Sequence, residues 1–239
     1  MNTQNSSSAF QRFIGRFTGD GGDHNKYRYG QKHGHWIELP DDGDMLSAEG
    51  DYVDGKRTGH WVFRWQGTGG DVAESLLLLI AKIAGVAMPM AKGAYAAGKK
   101  HGQWVERGAN GVGEGPYVDN KRHGQWICRY ANGTVAEGQY VEDKRHGKWV
   151  IRFADGSVEE GPMVEDKKHG NWVKRYANGA VEEGPVVDGK QHGNWVLRFA
   201  NGEVHEGPAV DGERHGKWVE QKPDGTETEV NWRNGEIVE

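Results

Sequence analysis

Residues 140–162 read YVEDKRHGKWVIRFADGSVEEGP, and residues 163–185 answer them as MVEDKKHGNWVKRYANGAVEEGP. Within a copy, the extended pair Tyr140-Val141 leads into a polar run from Glu142 to Gly147, read here as a turn. The segment Trp149-Val150-Ile151-Arg152-Phe153 follows, then Asp155-Gly156, then a second extended segment through Glu160-Gly161. Asn-Gly and Asp-Gly tolerate the positive φ of tight turns between twisted strands, and such pairs recur at Asn132-Gly133, Asp155-Gly156, Asn178-Gly179 and Asn201-Gly202. The unit is therefore one β-hairpin. A period of two sets Trp149, Ile151 and Phe153 on one face and Val150 and Arg152 on the other.

Working outward, His-Gly-x-Trp recurs at His33 to Trp36, His101 to Trp104, His123 to Trp126, His146 to Trp149, His169 to Trp172, His192 to Trp195 and His215 to Trp218, with Thr58 to Trp61 as a variant. Successive Trp residues lie 25, 43, 22, 23, 23, 23 and 23 apart. One hairpin buries too little to stand alone, so neighbours must stack and share an aromatic seam. The expected fold is all-β: an elongated single-layer antiparallel sheet of tandem β-hairpin repeats of about 23 residues. Composition agrees, with 38 Gly, 10 Trp and 8 Tyr in 239 residues. A net charge of −5 sets 30 basic against 35 acidic residues, which disfavours nucleic acid as a partner.

The pattern Tyr-x-x-Gly-Lys-Arg-x-Gly-x-Trp at 52–61, its variants at 117–126 and 140–149, and the intervening Asp-Gly and Glu-Gly pairs resemble the MORN repeat (membrane occupation and recognition nexus), in a bacterial-type variant carrying Trp. The resemblance covers 27–74 and 93–234. It implies a hairpin array used for scaffolding, dimerisation or attachment near membranes, and some bacterial relatives carry an antitoxin label. Residues 1–26 are expected to be a disordered N-terminal segment and 235–239 a C-terminal tail.

Two surfaces are candidates for binding. Basic residues recur in the polar runs, at Lys99, Lys100, Lys121, Arg122, Lys144, Arg145, Lys167 and Lys168, and would line one edge. Such a stripe suits anionic phospholipid, although acidic neighbours such as Asp119, Asp143 and Asp166 offset it. The aromatic face would comprise Trp104, Trp126, Tyr130, Trp149, Phe153, Trp172, Tyr176, Trp195, Phe199 and Trp218. It serves mutual packing, a protein partner or second copy (a homodimer), or aromatic cages for choline or sugars.

No catalytic, cofactor-binding or metal-ligating set is expected. The His-Gly histidines form a column whose rungs are about 9–10 Å apart, too far for one ion, and are read as turn-capping. Arg64, Arg107, Arg129, Arg152, Arg175 and Arg198 recur opposite Glu49, Glu114, Glu137, Glu160, Glu183 and Glu206, a cross-strand ion-pair ladder. Like carboxylates in like environments do not make an acid and a base.

The 43-residue spacing holds the apolar segment 75–92, SLLLLIAKIAGVAMPMAK. It reads as an inserted helix packed on the sheet, ahead of a membrane-surface or partner-binding helix, a span, or a compensated frameshift. Lys82, Gly85 and Pro89 interrupt it too often for a span. One Cys and no apolar leader in MNTQNSSSAFQRF point to the cytoplasm, with peripheral membrane association as an option. The function expected is a non-enzymatic repeat scaffold for protein–protein interaction or self-association. A peripheral anionic-lipid module and an antitoxin-like inhibitor are the alternatives.

Overall fold

A computed structural model of the chain describes residues 24–38, 46–65 and 89–238, in two units divided after Gly98. The first holds β1 (Lys26–Arg28), β2 (Gln31–Glu38), β3 (Leu46–Val53), β4 (Lys56–Trp65) and β5 (Pro89–Ala96), each antiparallel to the next. The second opens with β6 (Lys99–Gly108), β7 (Gly111–Val118), β8 (Lys121–Arg122), β9 (Gly124–Tyr130), β10 (Val135–Val141), β11 (Lys144–Arg152) and β12 (Val158–Val164). It continues with β13 (Lys167–Lys168), β14 (Gly170–Arg175), β15 (Val181–Val187), β16 (Lys190–Gln191), β17 (Gly193–Arg198) and β18 (Val204–Val210). It ends with β19 (Glu213–Arg214), β20 (Gly216–Gln221), β21 (Glu227–Arg233) and β22 (Glu236–Val238). Within each unit the pairings are antiparallel, between consecutive strands or, at β7–β9, β12–β14, β15–β17 and β18–β20, past a two-residue strand, and the described residues contain no helix.

Two turn chemistries alternate along the meander. At Asp54-Gly55, Glu142-Asp143, Glu165-Asp166 and Asp188-Gly189 both central residues have positive φ, for instance 50° and 72° at Glu142-Asp143. This is the primed two-residue turn whose twist matches the flanking strands. The turn is thus shorter than the polar run suggests: Lys144, Arg145 and His146 already pair with Val141, Tyr140 and Gln139. At Asn132-Gly133, Asp155-Gly156, Asn178-Gly179 and Asn201-Gly202 only the Gly has positive φ. Gly133 N donates to Tyr130 O at 3.0 Å and Tyr130 N to Thr134 O at 2.8 Å, a three-residue loop closed by a glycine bulge. The partner residue works through its side chain: Asp155 Oδ1 accepts from Ser157 N at 2.8 Å and Ser157 Oγ at 2.6 Å. Those bonds hold the Asp155 carboxyl below its usual range.

The core of each unit is built on Trp. In the first, Trp61 is 0 % and Trp36 7 % exposed; in the second, Trp104, Trp126, Trp149, Trp172 and Trp218 are 1–2 % exposed and Trp195 5 %. Each indole in the regular repeats lies flat on the glycine of a Glu-Gly pair in the preceding strand; a Cβ on Gly138 would come 2.4 Å from Trp149, and one on Gly161 2.4 Å from Trp172. The indole N–H is satisfied as well. Pro162 O accepts both Trp172 Nε1 (2.8 Å) and the His169 amide (3.0 Å), and Pro116, Pro185 and Pro208 accept the equivalent pairs. Both carbonyl lone pairs are used, so burying the ring leaves no orphan. Tyr117 and Tyr140 fill the gaps between Trp104, Trp126 and Trp149 edge-on, with centroids 5.2–6.0 Å apart.

Three boundaries differ from the sequence reading. Pro89–Lys92, placed in the helical insertion 75–92, belong instead to β5: Lys92 lies opposite Val62 and Ala91 opposite Phe63. β4 runs on to Trp65 and offers a ladder that extended backbone completes. The remainder of that segment, 75–88, lies outside the described residues. At the start of the chain, Lys26 begins β1, and Asn25 hydrogen-bonds both the amide (2.8 Å) and the carbonyl (3.1 Å) of Ile37 through its carboxamide. At the other end, Glu236–Val238 of the expected tail pair with Asn231–Arg233.

Candidate binding surfaces

The basic residues do not form one stripe. The first of each pair points along the edge and meets an acid of the following repeat: Lys99–Asp119 (3.4 Å), Lys121–Glu142 (3.1 Å) and Lys144–Glu165 (3.1 Å). Lys167 has no such partner among the described residues. The second of each pair bends over the aromatic face as a lid. Lys100 Nζ sits 4.6 Å above Trp104, Arg122 4.1 Å above Tyr140, Arg145 5.8 Å above Trp149 and Lys168 4.5 Å above Trp172, within cation–π range. Lys100 and Lys168 are also ion-paired, to Glu106 and Glu159.

Arg122 and Arg145 bind the next turn too. Asp143 Oδ1 takes the Arg122 amide at 2.9 Å, and Asp166 Oδ1 takes the Arg145 amide at 3.0 Å and its Nε at 3.1 Å. Partial burial would raise the Asp166 carboxyl, but these bonds hold it below the usual range. Seven of the eight edge candidates therefore stand within salt-bridge distance of a carboxylate.

The aromatic candidates separate into two sets. The Trp residues are interior. Tyr130 (45 % exposed), Tyr176 (37 %) and Phe199 (37 %), with half-buried Phe153, stand at the mouths of the three-residue turns, one per repeat. Lys174 Nζ lies between two of them, 5.8 Å from the Phe153 ring centre and 4.7 Å from that of Tyr176. The Tyr176 hydroxyl donates to Glu182 at 2.7 Å. Burial first, then that bond and the carboxylate charge, push its ionisation up to about 12. Glu182→Gln is expected to bring it back toward the ordinary phenol value of about 10, read by ultraviolet titration of the two proteins against Tyr176→Phe.

On the opposite face the expected ladder is present. Arg129–Glu114 (2.9 Å), Arg152–Glu137 (2.7 Å) and Arg175–Glu160 (2.7 Å) pair across strands, as do Arg64–Glu49 (2.7 Å) and Arg198–Glu183. These are half-exposed pairs worth roughly 0.2–1 kcal/mol each. The histidine column acts differently from the expectation. The imidazoles of His101, His123, His146, His169 and His192 make no hydrogen bond among the described residues; the amide of His123, His169 and His192 does the capping, onto Pro116, Pro162 and Pro185. The single thiol, Cys128, is pushed up by burial against the pull of Arg122 and Arg145, which disfavours the thiolate.

One group of polar residues escapes the sequence reading. Glu203, His205 and Glu220 each present a ligand-type atom within 4.8 Å of the others. The signal for them lies in the repeat itself: His205 stands in Val-His-Glu-Gly where the two preceding copies have Val-Glu-Glu-Gly.

No protein-family model matches the chain, and no curated protein does. Among solved structures it is similar to the computationally designed Ika8 protein, at 10 % identity over 87 % of each chain and a TM-score of 0.19. A likeness at that level has no weight for function. No helix of the described residues is long and apolar enough to cross a membrane.

Proposed function

We propose that this chain is a non-enzymatic repeat scaffold, similar to the MORN arrays, that holds a protein partner or a second copy of itself against the row Tyr130, Phe153, Tyr176 and Phe199. One observation carries the reading. The indoles are spent inside each repeat, while this second set of rings recurs with the same period and stays part-exposed. Rigid aromatic area at regular intervals is what a partner surface engages at low entropic cost.

The anionic-lipid alternative would use the basic edge. It draws less support, because a cation already paired with a carboxylate contributes less than the roughly 1 kcal/mol of a free one at an acidic membrane. The antitoxin reading rests on the resemblance alone.

Tyr130→Ser/Tyr176→Ser is compared with Lys99→Ala/Lys121→Ala/Lys144→Ala in affinity capture with mass spectrometry and in light scattering after gel filtration. The expected result is loss of the captured protein, or of the dimer, in the ring variant alone. Sedimentation with phosphatidylserine vesicles at low salt, lost in the lysine variant and at high salt, would instead favour lipid. A wild type that stays monomeric and captures nothing reproducible would remove the scaffold reading.

A further inference from the structure

The repeats provide an internal control for every position, and at two neighbouring positions, 203 and 205, one copy departs from all the others. Position 203 is Glu where the equivalent residues are Thr134, Ser157, Ala180 and Thr226. Position 205 is His where the array has Gly, Ala, Glu or Thr; position 220 is Glu, as are Glu38 and Glu106 two residues after their own Trp, against Cys128, Ile151, Lys174 and Leu197. Both changes meet the Glu220 carboxylate, because His205 and Glu220 are direct cross-strand partners on β18 and β20 and Glu203 immediately precedes β18.

We propose that Glu203, His205 and Glu220 form a binding site for a divalent transition-metal ion of the zinc type. His205 is buried to 14 % side-chain exposure and gripped from two sides. Its Nε2 lies 2.8 Å from Glu203 Oε1, and the Phe199 ring packs edge-on at 4.8 Å. With Nε2–H donated to Glu203, the ring presents the lone pair of Nδ1. That atom is closed to solvent, makes no hydrogen bond, and faces Glu220 Oε1 at 3.6 Å.

The distance discriminates between a shared proton and a shared ion. At 3.6 Å the two atoms are too far apart for a hydrogen bond. Two ligands each about 2.0–2.1 Å from a tetrahedral ion stand about 3.4 Å apart, so the gap needs only a few tenths of an ångström of closure. The Glu203 carboxylate on the far nitrogen is the outer partner that fixes the orientation and basicity of a ligating imidazole. His205 Nδ1 and Glu220 then supply ligands, with water or a group from a bound partner completing the set. This differs from the His-Gly column, where each rung offers one imidazole.

The test is calorimetric titration of zinc chloride into the chelator-stripped full chain in a non-coordinating buffer. Wild type is compared with His205→Glu and Glu220→Leu, which restore residues the array carries at these positions. The expected result is one saturable zinc equivalent in wild type that weakens at least tenfold in both variants, above a weak background from the other histidines. Equal stoichiometry and affinity in all three proteins, or no saturable site in wild type, would overturn the proposal. The imidazole nitrogen resonances of His205 give a second readout that needs no variant. A zinc-induced shift of Nδ1 is expected, and an unmoved resonance at saturating zinc would count equally against the site.

Discussion

Gly115→Ala is expected to destabilise the protein by about 3 kcal/mol, the upper range for overpacking a well-filled core, whereas Gly113→Ala two residues earlier should change stability by less than about 1 kcal/mol. A Cβ at 115 would fall 2.4 Å from the indole of Trp126; at 113 the nearest atom of the same ring is 3.4 Å away. Neither glycine has a positive φ, so the contrast isolates space from backbone conformation. The indole has nowhere to retreat. Its Nε1 is bonded to Pro116 O at 2.9 Å, Tyr117 and Tyr140 flank it at 5.3 and 6.0 Å, and Arg122 closes the top at 5.9 Å. The check is the urea midpoint of each variant at constant m-value. Equal losses at both positions would mean that the indole slides to make room.

This glycine also marks how far the sequence could be read. The repeat period, the hairpin unit and the Arg–Glu ladder were legible because several copies vote on each position and because turn dipeptides and period-two alternation are local signals. The Glu of each Glu-Gly pair was legible as a rung of that ladder, but its Gly only as part of the repeat pattern, since nothing local says that a ring from the next strand will lie on the Gly Cα. The same limit applied to the basic pairs. Glycine and charge together read as turn from Glu142 to Gly147, but the positive φ of Gly147 (68°) is absorbed in an irregularity within β11, and the strand runs on through it. Arg145 is thereby carried onto the Trp149 face and becomes a lid instead of an edge charge. In the 75–92 segment, composition outweighed the ladder offered by β4, which claims Pro89–Lys92 as strand. The His205 group was visible as a departure from the repeat consensus, yet its significance depends on Glu220, brought opposite by strand register fifteen residues later.

Lids and edge charges differ in what their loss should do, which bears on where a partner can bind. Lys144 is half-exposed and reaches Glu165 through water-accessible space, so its neutralisation leaves the repeat intact. Arg145 packs on Trp149 and clamps the Asp166 turn, so charge reversal there would unsettle two repeats at once. Loss of binding in a variant that changes both would report on folding as much as on recognition. For this reason the edge is probed through the first lysine of each pair.

Trp149→Ala is expected to cost about 4 kcal/mol, in the range for deleting a fully buried indole, and to do so locally. The ring is 1 % exposed, stacks on Gly138, donates to Gln139 O at 3.1 Å and is touched edge-on by Tyr140 at 5.2 Å. Removing it deprives β10, β11 and β12 of their shared core but takes nothing from β20 and β21, which close over Trp218. In a meander where each repeat touches only its neighbours, stability is close to a sum of unit and interface contributions, so the defect should stay near its origin. Hydrogen exchange followed by mass spectrometry resolves this: amides of 135–164 should open at markedly lower free energy than in the wild type, while those of 216–233 keep most of their protection. If protection instead falls by the same amount in both stretches, the cooperative unit spans the hairpins between them, and coupling between repeats outweighs the stability each repeat has for itself.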